Sequence, residues 1–492
     1  MWCFFCTLNV ERGVSVKENY APLHEALMNN INKNPISFHV PGHKYGEVFP
    51  NLLFPGVESV LKLDATEVRG LDDLHAPEEA IQKAQQLASD FFQAKETFFL
   101  VNGTTVGNLA MILSVCQPGD EIVVQRNCHK SVLNGLELAG ASPVFVTPRY
   151  EKETERYSNI QAEDVEKALS QHPKSKAVFL TYPDYFGRTY DLESIAEITH
   201  DYNIPLLVDE AHGVHFQLGV PFPKPALAAG ADVVVQSAHK MAPALTMASF
   251  LHIGGGRVDV EHIRHYLQVL QSSSPSYLLM ASLDIARSYM ASWGHCERKD
   301  ILLFIEDVRE ALAAYDHLFK VKPPHPKDDP LKLTLEATVG SGYDLSEALD
   351  AIGVVPEMAT SDHVLLVLGL APSFNLENLN ERLRSLDWQL KKDPNRATIK
   401  EEQFPFPVIQ KLEYSYSDMR KMMDEKVDWS RATGCVAAEA IIPYPPGIPL
   451  IMKGERISER HYQDVTTLIK QGARFQNNEI EQGIRVLKEN EL

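Results

Sequence analysis

Between about residue 85 and residue 290, short apolar runs alternate with stretches whose apolar residues recur at three- and four-residue spacing. The runs at 97–100, 121–125, 144–147, 177–182, 205–209 and 233–237 are short and rich in Val, Ile, Leu and Phe, so they predict buried strands. The stretches at 83–94, 108–116, 162–171 and 192–202 predict helices. Strand and helix in succession imply an α/β fold, a mostly parallel sheet covered by helices on both faces. Ligands of such a sheet bind beyond the carboxyl ends of its strands. Upstream, APLHEALMNNI from Ala21 predicts an amphipathic helix that opens the folded region near Tyr20. Downstream, 277–319 predicts a long helical region, and the Pro- and charge-rich KVKPPHPKDDP at 320–330 predicts a linker. LKLTLEAT and DHVLLVLGL then belong to a smaller C-terminal α+β unit, with polar 391–402 as a surface loop. The expected organisation is a disordered leader (1–19), an N-terminal arm (20–75), a large domain (76–325) and a C-terminal domain (330–492).

Composition narrows the partners. A chain of 492 residues exceeds one ordinary core, and 44% hydrophobic with 23% charged residues is usual for a soluble protein. No apolar run reaches the roughly 20 residues of a membrane span, so no membrane partner is expected. A formal charge of −19 argues against a nucleic-acid surface and suits a cationic small molecule, although net charge locates no field. The six cysteines form no disulfide framework, which points to a reducing cytoplasm. Cys3 and Cys6 make a lone C-x-x-C without a second pair, so no metal site is expected. The opening MWCFFCTLNV lacks the basic start and small-residue cleavage site of a signal peptide and reads as an extraneous or disordered leader.

The chemistry sits in segments that follow strands. Ser237-Ala238-His239-Lys240 comes directly after the apolar VVVQ. A lysine there can form a Schiff base if its amine is kept partly neutral, though strand-end lysines are usually solvated. Asp209-Glu210-Ala211-His212-Gly213 follows PLLV. An aspartate leaving a buried strand can hold the proton of a pyridine nitrogen, or it can simply cap a helix, and His212 can be an ordinary satisfied core-edge histidine. Asn102-Gly103-Thr104-Thr105 opens a helix, where glycine allows close approach and helix-start N–H groups with two hydroxyls can hold a phosphate. Arg126-Asn127-Cys128-His129 follows EIVVQ, and His129 can stack on a cofactor ring or lie in a surface loop.

Together these segments resemble the fold type I enzymes that use pyridoxal phosphate (PLP). FHVPGHK (38–44), GLDDLHAP (70–77), VNGTT, RNCHKS, VDEAHGVHF, SAHK and AAEAIIPYPPGIPL (437–450) narrow the resemblance to the Orn/Lys/Arg decarboxylase family, class I. The likeness covers nearly all of 21–455 and fits the short bacterial form without an N-terminal wing domain. It implies an aspartate aminotransferase-like large domain and covalent attachment of PLP to Lys240. Asp209 would sit at the ring nitrogen, and Thr104, Thr105 and Ser237 at the phosphate, with His239 beside it. His129 would stack on the ring, and His212 would lie near its phenolic oxygen or the substrate carboxylate. The family commonly has threonine where this chain has Asp184, which either alters the cofactor's surroundings or adds a carboxylate for a basic substrate.

The expected reaction is decarboxylation of arginine, lysine or ornithine, giving CO2 and agmatine, cadaverine or putrescine, by a homodimer or an assembly of dimers. A distal ammonium or guanidinium needs a carboxylate, and Asp72, Asp73, Asp184 and Glu439 are candidates. Asp72 and Asp73 can equally cap a loop, and Glu439 can equally belong to a structural wall. An aminotransferase or another lyase would instead need an arginine for the substrate carboxylate, drawn from Arg420, Arg431, Arg456 or Arg460. A silent PLP-binding regulator would have lost the lysine or the aspartate, and both are present.

Overall fold

The computed structural model describes residues 20–49, 56–386, 407–443, 449–470 and 475–489. The expected leader and the expected surface loop at 391–402 lie outside the described residues. The strands in chain order are β1 (Glu96–Leu100), β2 (Glu121–Gln125), β3 (Ser142–Val146), β4 (Arg149–Glu151), β5 (Arg156–Asn159), β6 (Val178–Thr181), β7 (Leu206–Asp209), β8 (Val233–Gln236) and β9 (Ser249–Ile253). They continue as β10 (Phe319–Val321), β11 (Lys332–Ala337), β12 (Met358–Ala359), β13 (His363–Val367), β14 (Ile409–Lys411), β15 (Asp424–Val427) and β16 (Ile484–Leu487). The large mixed sheet has eight strands in the order β1-β9-β8-β7-β6-β2-β3-β14. β2 runs parallel to β3 and β6, whereas β9 is antiparallel to β1 and β8, and β14 is antiparallel to β3.

The interior strands are buried throughout rather than in alternation, as VVV at 233–235 shows with every residue at 0% exposure. That is the pattern of a sheet covered on both faces. β9 has no counterpart among the strands expected from the sequence. Its SFLHI mixes Ser249 and His252 into the apolar run, and both are fully buried. The long helical region at 277–319 is two helices, Tyr277–Ala291 and His295–Ala313, because the first ends at Ser292 and Gly294 lies between them. The expected linker begins in a strand, since β10 pairs antiparallel with β11.

The chain forms two compact units, each assembled from separated stretches. The first holds the described residues up to Ala110 with Asp209–Val220 and Lys224–Lys299. In it Asp284, on the helix Tyr277–Ala291, accepts the Leu23 N–H at 2.9 Å and pairs with Arg287 at 3.0 Å. This caps the helix Pro22–Asn32, whose own Ala21 offers no capping side chain. The second unit holds Met111–Val208, Pro221–Pro223 and the described residues from Asp300 onward. It contains the four-stranded sheet β10-β11-β13-β12 and the β15–β16 ribbon, which packs Val427, Ile484 and Val486 against Trp429, Ile441 and Ile451.

Candidate active site

Gly103 opens the helix Gly103–Val115 after β1 at φ +73°, a conformation glycine adopts without penalty. Its N–H donates to the Met247 carbonyl at 2.9 Å, and Met247 itself sits at φ 79°, uncommon for a residue with a side chain. A Cβ on Gly107 would stand 2.5 Å from Val235 Cγ2, so glycine lets this helix lie close to β8. Thr104 Oγ1 and Ser237 Oγ are 2.7 Å apart, which brings the two predicted phosphate-binding segments together. Thr105 is exposed on the same first turn.

Four residues beyond Thr104, on the same helix face, Asn108 donates from Nδ2 to Asp209 Oδ2 at 2.8 Å. Asp209 is 3% exposed at the end of β7, and its Oδ1 accepts the Ala211 N–H at 3.1 Å. These partners, a side-chain amide and a backbone N–H, are neutral donors. Lys240, in the short helix Ala238–Met241 after β8, places Nζ 3.1 Å from His212 Nε2. His239 donates from Nδ1 to the Ala248 carbonyl at 3.1 Å, which fixes the proton on that nitrogen. Burial, with the nearby Lys240 charge, holds the His239 imidazole below its ordinary range.

The residues meet what PLP requires. Converging hydroxyls at a helix start suit a phosphate, a half-buried lysine supplies the attachment point, and a buried carboxylate with only neutral partners suits a cationic ring N–H. Fold and site define a fold type I PLP-dependent enzyme. Two family models match, described as Orn/Lys/Arg decarboxylase, major domain, over residues 21–328 and Orn/Lys/Arg decarboxylase, C-terminal domain, over 398–478. The chain belongs to the Orn/Lys/Arg decarboxylase family and is a PLP-dependent amino-acid decarboxylase. The uncharacterized protein YaaO of Bacillus subtilis (strain 168) is 44% identical over 93% of this chain and 96% of its own. The arginine decarboxylase of the same organism is 33% identical over 96% of this chain and 99% of its own. The crystal structure of the Francisella novicida lysine decarboxylase LdcF superposes with a TM-score of 0.79 at 19% identity, over 95% of this chain and 81% of that one, a likeness of fold.

The other predicted residues each have hydrogen bonds of their own. Asp72 accepts N–H groups from Asp73, Glu78, Glu79, Ile81 and Gln82 at 2.8–3.2 Å. Although burial opposes it, these bonds hold its carboxyl below the usual range, so Asp72 has the loop-capping role at the start of the helix Ala80–Phe92. Asp73 accepts the His75 N–H at 2.9 Å in the same turn. In the second unit, His129 caps the helix Lys130–Ala139, its Nδ1 accepting the Ser131 N–H at 3.2 Å. Asp184 closes a turn by accepting the Arg188 N–H at 2.8 Å, and burial pushes its carboxyl above the usual range. Glu439 lines a cavity of about 260 Å³ with Lys130, Glu137, Tyr416, Lys453 and Asn477. It accepts the Arg485 N–H at 2.9 Å and Asn477 Nδ2 at 3.3 Å. Of the arginines an aminotransferase would draw on, Arg420 donates to the Glu137 and Leu138 carbonyls, Arg456 pairs with Glu413 and Glu489, and Arg460 lies 3.7 Å from Asp464. Sequence reasoning missed Asn108, although its four-residue spacing from Thr104 was a usable signal.

Proposed function

We propose that the enzyme decarboxylates arginine, in preference to lysine and ornithine, and releases CO2 and agmatine. The observation that carries the reaction is the approach of Lys240 Nζ to His212 Nε2 at 3.1 Å in the unit that also holds Asp209, Thr104 and Ser237. Bound PLP supplies an electron sink for the carbanion left when CO2 departs. Asp209 holds the proton on the ring nitrogen, with Asn108 orienting its carboxylate. Thr104, Thr105, Ser237 and the N–H groups at the start of Gly103–Val115 bind the phosphate. His212 would hold a proton taken from Lys240 Nζ, keeping that amine neutral, and the pair would return a proton to the substrate carbon. His239 flanks the phosphate.

The preference for arginine is supported by the Bacillus subtilis arginine decarboxylase, related over almost the full length of both chains. A cytoplasmic homodimer or assembly of dimers completes the reading. Ile36, Phe38 and Val40 are 84%, 95% and 65% exposed, an apolar segment suited to a second copy. No helix among the described residues is long and apolar enough to cross a membrane. Purified protein given equal arginine, lysine and ornithine should form agmatine fastest by mass spectrometry. Faster cadaverine or putrescine would overturn the arginine assignment.

A further inference from the structure

A line of side-chain hydrogen bonds crosses β1, β9 and β8 and ends just after β7. Thr97 Oγ1 donates to His252 Nδ1 at 2.8 Å, and His252 Nε2 donates to Gln236 Oε1 at 3.0 Å. Gln236 Nε2 donates to Glu210 Oε2 at 2.6 Å, and the Ala226 N–H donates to Glu210 Oε1 at 2.7 Å. With the Glu210 carboxylate ionised and accepting at both oxygens, the direction is consistent throughout: the Gln236 amide nitrogen donates to it, so the amide oxygen accepts from His252, whose other nitrogen then accepts from Thr97. All four side chains are at most 1% exposed. Burial pushes the Glu210 carboxyl up to about 8 and the His252 imidazole, set between the Phe92 and Phe250 rings, down to about 3. A buried polar line with each member satisfied fixes one arrangement of the strands that carry it.

We propose that Glu210 is a positioning residue for the decarboxylation: it ties the turn that presents Asp209 and His212 to the strand end that presents Ser237 and Lys240. Glu210 stands next to Asp209 in the chain, and Gln236 stands next to Ser237. Their side-chain bond adds to the backbone bond from Glu210 N–H to the Val235 carbonyl at 2.9 Å. Gly213 completes the clamp. A Cβ there would lie 2.6 Å from Glu210 Cγ and 3.0 Å from Cδ, so the turn can close over this carboxyl side chain only with glycine. The Lys240–His212 approach is made between these two tied segments, and misplacement by about 1 Å can cost roughly 100-fold in rate.

The test uses the PLP-loaded enzyme and two variants. The comparison is made above about pH 8, where the Glu210 carboxylate is ionised and Glu210→Gln sets a donor against either Gln236 Nε2 or the Ala226 N–H. The double variant Glu210→Gln with Gln236→Glu keeps each bond, because the new amide donates to the new carboxylate, which still accepts from His252. The single variant should lose roughly 10- to 100-fold in kcat with KM within about 3-fold, on the basic amino acid that the wild type turns over fastest. Its bound-cofactor absorbance should shift, and borohydride trapping at Lys240 should slow. The double variant should recover to within about 5-fold of wild type on each readout. The absorbance and trapping readouts decide even if none of the three amino acids is turned over. Wild-type kcat, KM and absorbance in the single variant, even with a lowered melting temperature, would overturn the proposal. So would a folded double variant no better than the single one, or a double variant that fails to fold although its hydrogen bonds are kept.

Discussion

Asp209 and Glu210 are adjacent, buried carboxylates to which we assign different tasks. Asp209 is held by a side-chain amide and one backbone N–H, the arrangement behind its proposed place at a ring nitrogen. Changing Asp209→Asn should lower kcat by several powers of ten, each worth about 1.4 kcal/mol of barrier, while leaving cofactor partly bound through Lys240 and the phosphate residues. Were Asp209 only a cap, the same change would be nearly neutral, since Asn caps about as well, so kcat beside melting temperature separates the two. Glu210 gives a pH signature. Its carboxyl rises from 4.5 to about 8 on burial, so the folded state binds the proton more tightly than the unfolded chain. Its contribution to stability is therefore present below about 4.5 and is lost as pH rises through about 8. Denaturant unfolding of wild type and Glu210→Gln across that range should show the wild type losing stability relative to the variant as pH rises. Parallel profiles would contradict it. Both residues stood in a legible motif, but the sequence offered no sign that Thr97, Gln236 and His252 converge on Glu210, because that follows from strand order and register.

Among the elements, strands with continuous apolar runs were the most legible, and β2, β7 and β8 lie within a residue of their expected bounds. β9 was not, since the buried histidine that serves the Glu210 line reads as polar in a hydrophobic pattern. Helix ends were legible where a capping residue stands in the sequence and obscure where the cap comes from afar. The helix Pro22–Asn32 is capped by Asp284, whose carboxyl burial pushes up to about 6 despite Arg287. Changing Asp284→Ala removes the cap and leaves a buried guanidinium without this carboxylate. Loss of one partner of a buried pair costs about 3–5 kcal/mol. Thermal unfolding should show a markedly lower melting temperature, and an unchanged one would remove this contact from the account of how the N-terminal helix is held.

For the whole molecule, the order of four strand-end motifs was enough to read the fold and the cofactor, because each motif lies where a parallel sheet binds ligands. Substrate choice was not legible in the same way. Asp72, Asp73, Asp184 and Glu439 were candidates by composition, and each accepts a backbone N–H group, a set of bonds that local chain geometry decides and composition does not show. Assembly belongs to this scale as well. Light scattering of the active enzyme should give at least twice the chain mass of 55.1 kDa, and an active monomer would remove the dimer from the account. The central claim is that Lys240 carries the cofactor. Borohydride reduction of the purified, PLP-loaded enzyme followed by peptide mass mapping tests it most directly. The adduct should lie on the peptide containing Lys240 and vanish in Lys240→Ala, and an adduct mapped to any other lysine would contradict the assignment.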